Sequence, residues 1–236
     1  MALADLFKKK TNNAAFAALL KRGKTDEQCK CIDFFMTPVE TKKKGCLKKS
    51  EMTIDSYCAY IQSIVDRLNL KQRAIMKIGL DESQISEIPP VCLSSFIRGD
   101  GIQFKTNEEF TKFVTSRYSV TWIFFSSTQI YTYTYTFNTT SDDAAELTRD
   151  YFYTDITSIK TEHEVEEVIY EVKKKGCAKY LGCLNKKGTY FHNNRHWDTL
   201  AITVPGDTFS FYCQTTPTLE QSIQAAKAMI REKKQA

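Results

Sequence analysis

Along residues 131–137 every second position carries an aromatic ring, Tyr131, Tyr133, Tyr135 and Phe137, and threonine fills the positions between, Thr132, Thr134 and Thr136. That period of two predicts a β-strand with its rings on a buried face and its threonines on a wetted one; a helix would scatter the rings around its axis. Residues 120–125 form a second β-branched and aromatic run, and Ser126, Ser127, Thr128 and Gln129 separate the two runs at hairpin distance. The pair predicts an antiparallel hairpin with Tyr133 and its neighbours turned into the interior of a β-rich domain.

Upstream, the apolar period is helical. Ala2, Leu3, Leu6 and Phe7 suit a short first helix, and Asn12 or Asn13 can cap a second that carries Ala15, Phe16, Leu19 and Leu20. Thr25 is placed to cap a third, with Cys29, Ile32, Phe35 and Met36 inward. A lysine-rich loop over 38–49 follows. Thr53 then opens a helix whose apolar positions, Ile54, Tyr57, Cys58, Ile61, Ile64, Val65 and Leu68, hold the three-and-four spacing through four turns. A shorter helix over 70–78 stops at Gly79, a residue favoured just past a helix end.

Pro89 and Pro90 push the chain into extended backbone, which sets a boundary between a helical region, 1–80, and a connector, 81–117. In the connector, Gly99, Asp100 and Gly101 separate short strands over 91–97 and 102–105, and 107–113 suits a helical turn. Beyond the central hairpin, strands are expected near 147–153 and 159–163. Residues 164–173 fit a helix by spacing but a strand by β-branched content, and strand is chosen. After a Lys-, Gly- and Asn-rich excursion over 173–194, Leu200, Ile202 and Val204 alternate into the turn Pro205-Gly206-Asp207. Phe209, Phe211 and Cys213 alternate out of it. Thr216-Pro217 opens a closing helix with Ile223, Ala226, Met229 and Ile230 as its apolar stripe.

The segments TWIFFSSTQIYTYTYTF, YFYTDITSI and VPGDTFSF, with the closing helix, resemble the pleckstrin-homology-like domain over 118–236. They are similar to those of bacterial proteins that carry such a module behind a helical N-terminal region and have no assigned activity. The resemblance implies an α+β chain: an N-terminal helical region, then an antiparallel β-barrel of two orthogonal sheets plugged by the last helix. It also implies partner binding, because many domains of this fold take peptides or proteins along the last helix and an adjoining strand edge. Members that bind phosphoinositides grip phosphate with Lys and Arg in the first hairpin loop; here residues 126–129 carry neither.

Charge divides unevenly, with 16 Lys and Arg against 8 Asp and Glu in residues 1–80, and 17 against 20 in the remainder. The lysines at 8–10, 21, 24, 42–44 and 48–49 suit an anionic membrane surface, whereas the absence of interleaved aromatics argues against nucleic acid. The order of MALADLFKKK is the reverse of a secretory signal, and the expectation is a cytoplasmic chain with reduced thiols. Cys29 and Cys31, about 200° apart around a helix, put one thiol in and one out.

Cys177, Cys183, His192 and His196 gather four zinc-type ligands in one excursion, although the cysteine spacing is not that of a finger. His163, between Glu162 and Glu164, reads as a surface residue. No phosphate-binding loop, nucleophile elbow or His-Glu-x-x-His motif is present, so the expectation is a non-enzymatic chain without a cofactor. Its expected role is to bind or scaffold another protein. The alternatives are association with anionic membranes through the basic helices and zinc binding through 177–196. The sequence specifies neither partner nor oligomeric state.

Overall fold

Thr25 accepts a hydrogen bond from the Gln28 amide at 3.2 Å while the Gln28 side chain accepts one from the Thr25 amide at 3.0 Å. This capping box starts helix α2 (Asp26–Met36), which follows α1 (Asn13–Lys21). The computed structural model describes residues 13–37, 52–81, 89–107, 112–172, 189–214 and 217–235. The expected helix at 2–7 and the lysine-rich loop at 38–49 lie outside these residues. Thr53 and Ser56 form a second box at the head of α3 (Ile54–Leu68). Asn69, left-handed at φ 44°, turns the chain directly into α4 (Leu70–Ile78), and Gly79, at φ 75°, stops it.

The central hairpin forms as expected. Strands β4 (Arg117–Phe125) and β5 (Gln129–Asn138) pair with Trp122 opposite Tyr133 and Val120 opposite Tyr135. β1 (Val91–Phe96) joins the far side of β4 and β6 (Ala144–Phe152) the far side of β5, giving one antiparallel sheet in the order β1-β4-β5-β6. β2 (Phe104–Thr106) and β3 (Phe113–Thr115) make a small separate hairpin, so Phe113 is extended where a helical turn was expected; 108–111 lie outside the described residues.

A single long strand, β7 (Ser158–Val172), replaces the two expected pieces and confirms strand over 164–172. It pairs with β8 (Thr189–Val204), which pairs with β9 (Asp207–Gln214) across a turn holding Gly206 at φ 87°. Helix α5 (Pro217–Gln235) closes the order. The strands make separate sheets of four, three and two, and no closed barrel is found among the described residues.

The ring face points the other way from the expectation. Tyr133, fully buried, lies with Val120 and Phe124 against Leu70, Ala74 and Ile75 of the α4 segment, while Phe137 joins Cys31, Phe34, Tyr57 and Ile61 of α2 and α3. The tyrosines therefore face the helices and not the space between the two large sheets. The threonine face is only partly wetted: Thr132 is 1% exposed, and Thr121 and Ser119 of β4 0% and 4%, while Thr134 and Thr136 are half-buried. Its hydroxyls are satisfied across strands, Thr121 to Thr134 at 2.9 Å and Ser119 to Thr136 at 3.1 Å. Alternation groups the rings on one face; it does not say which layer that face meets, and here both faces are covered.

On the threonine side, further along the strands, Leu93, Ile123, Phe125, Ile130 and Tyr151 meet Leu200, Ile202, Phe209 and Phe211 of the three-stranded sheet. Ile223, Ala226 and Ile230 of α5 complete this core. Burial of each such aliphatic side chain contributes about 1.5–3 kcal/mol.

Polar contacts fix the helices on the sheet. The Tyr57 hydroxyl donates to the Thr115 carbonyl at 2.9 Å and lies 2.8 Å from the Thr139 hydroxyl. Arg73 makes a two-pronged bond to Glu146 at 2.7 and 3.1 Å, Lys77 reaches the same carboxylate at 3.2 Å, and the Tyr133 hydroxyl donates to it. Burial raises the Glu146 pKa, but the bonds from Arg73, Tyr133 and Lys77 outweigh it and hold the group at about 2.

Two outcomes follow from this layering. Thr132→Asp and Tyr133→Asp, one on each face, should each cost about 3 kcal/mol or more in urea unfolding, and an unchanged midpoint for Thr132→Asp would contradict the two-sided burial. Because the folded pKa of Glu146 is depressed, its contribution is present above the ordinary value of 4.5 and lost as pH falls toward 2. Wild type should lose more stability over that interval than Glu146→Gln; parallel curves would remove Glu146 as the cause.

Candidate functional site

Strand alternation puts Thr161, His163 and Val165 of β7 on one face and Glu162 and Glu164 on the other. β7 is the outer strand of its sheet, so its second edge has no strand paired to it among the described residues. The first turns of α5 lie over the face that carries Thr161 and His163. Between them is a recess of about 290 Å³ lined by Thr161, Glu162 and His163 of β7, Asp198 and Thr199 of β8, and Glu220, Ile223 and Gln224 of α5. Lys227 reaches in from the following turn of the helix to donate to the Thr161 hydroxyl at 3.0 Å. Three carboxylates border the recess: Glu162 is paired with Lys160, Asp198 with His163, and Glu220 stands in the first turn of α5.

The β7–β8 register sets His163 directly opposite Asp198 and Val165 opposite His196. His163 Nδ1 lies 2.9 Å from Asp198 Oδ1, and its Nε2 lies 3.1 Å from His196 Nδ1. An ionised carboxylate only accepts, so His163 Nδ1 carries the proton. In a neutral ring Nε2 then accepts, and His196 Nδ1 donates to it. The two rings meet nearly head-on, with centroids 5.2 Å apart and planes inclined by 26°. Asp198 is the more enclosed partner, at 18% side-chain exposure against 49% for His163.

Of the four residues grouped as zinc ligands, Cys177, Cys183 and the His192 side chain lie outside the described residues. His192 and His196 belong to one strand, β8, where four positions span about 13 Å of backbone. His196 is brought instead to His163, a residue read from sequence as plain surface. The signal that joins them is strand register, invisible until the long hairpin is aligned. Among the described residues no group of three or more His, Cys, Asp or Glu is arranged to hold a metal ion.

The other sequence candidates resolve simply. Cys31 is buried and Cys29 half-buried, and burial pushes the Cys31 thiol up to about 11, which suits a packing role. Residues 126–129 close on themselves: the Ser126 hydroxyl accepts from the Thr128 and Gln129 amides at 3.3 and 3.1 Å and donates to the Gln129 carbonyl at 2.9 Å. The lysines at 8–10, 42–44 and 48–49 lie outside the described residues. Among the described residues no helix is long and apolar enough to cross a membrane.

No protein-family model, curated protein or solved structure matches the chain.

The His163 tautomer is directly measurable. Long-range proton–nitrogen NMR above neutral pH should find His163 protonated on Nδ1, and Asp198→Ala should move that proton to Nε2. A wild-type spectrum with His163 protonated on Nε2 would refute the hydrogen-bond assignment.

Proposed function

We propose that this chain is a protein-interaction module on a pleckstrin-homology-like scaffold, and that it takes an extended segment of a partner protein into the groove between β7 and α5. Four antiparallel strands, β1, β4, β5 and β6, precede three more, and α5 packs into the core between the two sheets, which supports the resemblance. The role needs no catalytic group and no cofactor.

The observation that carries the reading is the recess itself, which lies between α5 and the face of the β7–β8 pair, with β7 as the outer strand. An extended peptide can extend the sheet by pairing with β7, and its side chains then reach the helix. Glu162, Asp198 and Glu220 border the groove, so the segment that fits it carries Lys or Arg. The loop over 126–129 spends its Ser126 hydroxyl inside its own turn, which favours this groove over a phosphate grip at the first hairpin.

Peptides selected from a random display library against the full chain test the proposal. The expected binders are extended and basic, slow amide exchange along β7, and lose at least about tenfold in affinity to Glu220→Lys while the melting temperature is unchanged. Binders that protect a different strand, or that ignore Glu220→Lys, would overturn it. So would a selection without binders from a chain that sediments with anionic vesicles, which is the outcome expected of membrane association through the basic helices.

A further inference from the structure

We infer that His163 and His196 form a binding site for a late first-row divalent cation such as zinc, with Asp198 as the residue that positions His163. Two imidazole nitrogens on one zinc ion, at bond lengths of about 2.0–2.1 Å, stand about 2.9–3.4 Å apart for coordination angles between square and tetrahedral. His163 Nε2 and His196 Nδ1 already stand 3.1 Å apart. They are now joined by a hydrogen bond along the line between them. A turn of about 40° by each ring moves both lone pairs to a common point beside that line, and His196 frees its Nδ1 lone pair by carrying its proton on Nε2 instead.

Asp198 supplies what such a ligand needs from behind. By accepting from His163 Nδ1 at 2.9 Å it keeps Nε2 as the lone-pair nitrogen. The two imidazoles select zinc, copper or nickel over magnesium or calcium, which prefer all-oxygen sites. With only two protein ligands, the remaining positions belong to water, and the ion exchanges readily. The half-exposed His163 is open to metal from solution.

This inference is independent of the partner-binding reading, because it is tested on the chain alone and with zinc as the only ligand. After dialysis against chelator, the full chain is titrated with zinc chloride, followed by calorimetry and by NMR of the ring nitrogens. The expected result is one equivalent bound, with simultaneous shifts at His163 Nε2 and His196 Nδ1 and with the His196 proton moved to Nε2.

His163→Gln or His196→Gln should weaken binding at least about tenfold, and Asp198→Ala by about 10–100-fold, with Asp198→Asn, which keeps an acceptor oxygen, weaker in effect. Cys177→Ser combined with Cys183→Ser should change nothing. Absence of binding at about millimolar zinc, shifts confined to other histidines, or loss of the site in the double cysteine variant would each overturn the assignment. The ring shifts are read on the unmodified chain, so a variant that fails to fold does not protect the idea.

Discussion

The β4–β5 hairpin is covered on both faces, and the rest of the architecture is a consequence of that constraint. A strand with two buried faces has no water to satisfy its polar side chains, so each must find a partner within the protein. Here the residues between the rings are threonine and serine, whose hydroxyls bond across β4 and β5. A valine there would pack as well but bond to nothing, and an aspartate would bury a charge. The opposite face carries Trp122, Phe124, Tyr133 and Tyr135, too much aromatic surface to leave in water, and α3 and α4 supply its cover.

That cover is fixed in position by charge. Apolar packing alone is tolerant of sliding, since one leucine serves about as well as another against a ring. Glu146 removes the tolerance: it stands on β6 and receives bonds from Arg73 and Lys77 of α4 and from Tyr133 of β5, so helix, edge strand and central strand meet at one carboxylate. The Arg73 guanidinium also lies 5.1 Å over the Tyr135 ring. Tyr57 does the same service deeper in the interface, tying α3 to Thr115 and Thr139.

What was legible in the sequence was local. Thr25, Thr53, Gly79 and Gly206 announce helix starts, a helix stop and a hairpin turn because each solves a backbone problem within four residues of itself. Both hairpins and the stripe of α5 follow from period alone. The orientation of the ring face did not, since a period of two is the same whether the rings meet helices or a second sheet. β7 was divided at 163–164 because its inward positions, Thr161 and His163, are polar and interrupt the apolar rhythm that marks a strand. The pairing of His163 with Asp198 and His196 spans more than thirty residues of chain and depends on the register of two long strands. A His-x-x-x-His spacing suggests a shared ligand on a helix; on β8 the same spacing stretches along the strand, and the histidine that meets His196 comes from the neighbouring strand instead.

The position of the candidate site follows from where the core runs out. Along β8 one face carries Ile202, Leu200, Asp198 and His196, apolar and then polar. Along α5, read from its C-terminal end, the facing positions run Ile230, Ala226, Ile223 and Glu220, with the change at the same level. Two elements that are remote in sequence thus stop being apolar where they stop covering each other. Had either continued apolar, the helix would have sealed the end of the sheet and left no recess; had both turned polar earlier, Leu200 and Ile223 would have lost the contacts that hold the helix in place. The matched transition leaves a carboxylate- and imidazole-lined opening on a rigid frame, with a strand edge on one side and the head of a helix on the other. Both proposed roles, partner capture and metal binding, draw on that one boundary between dry core and wet groove.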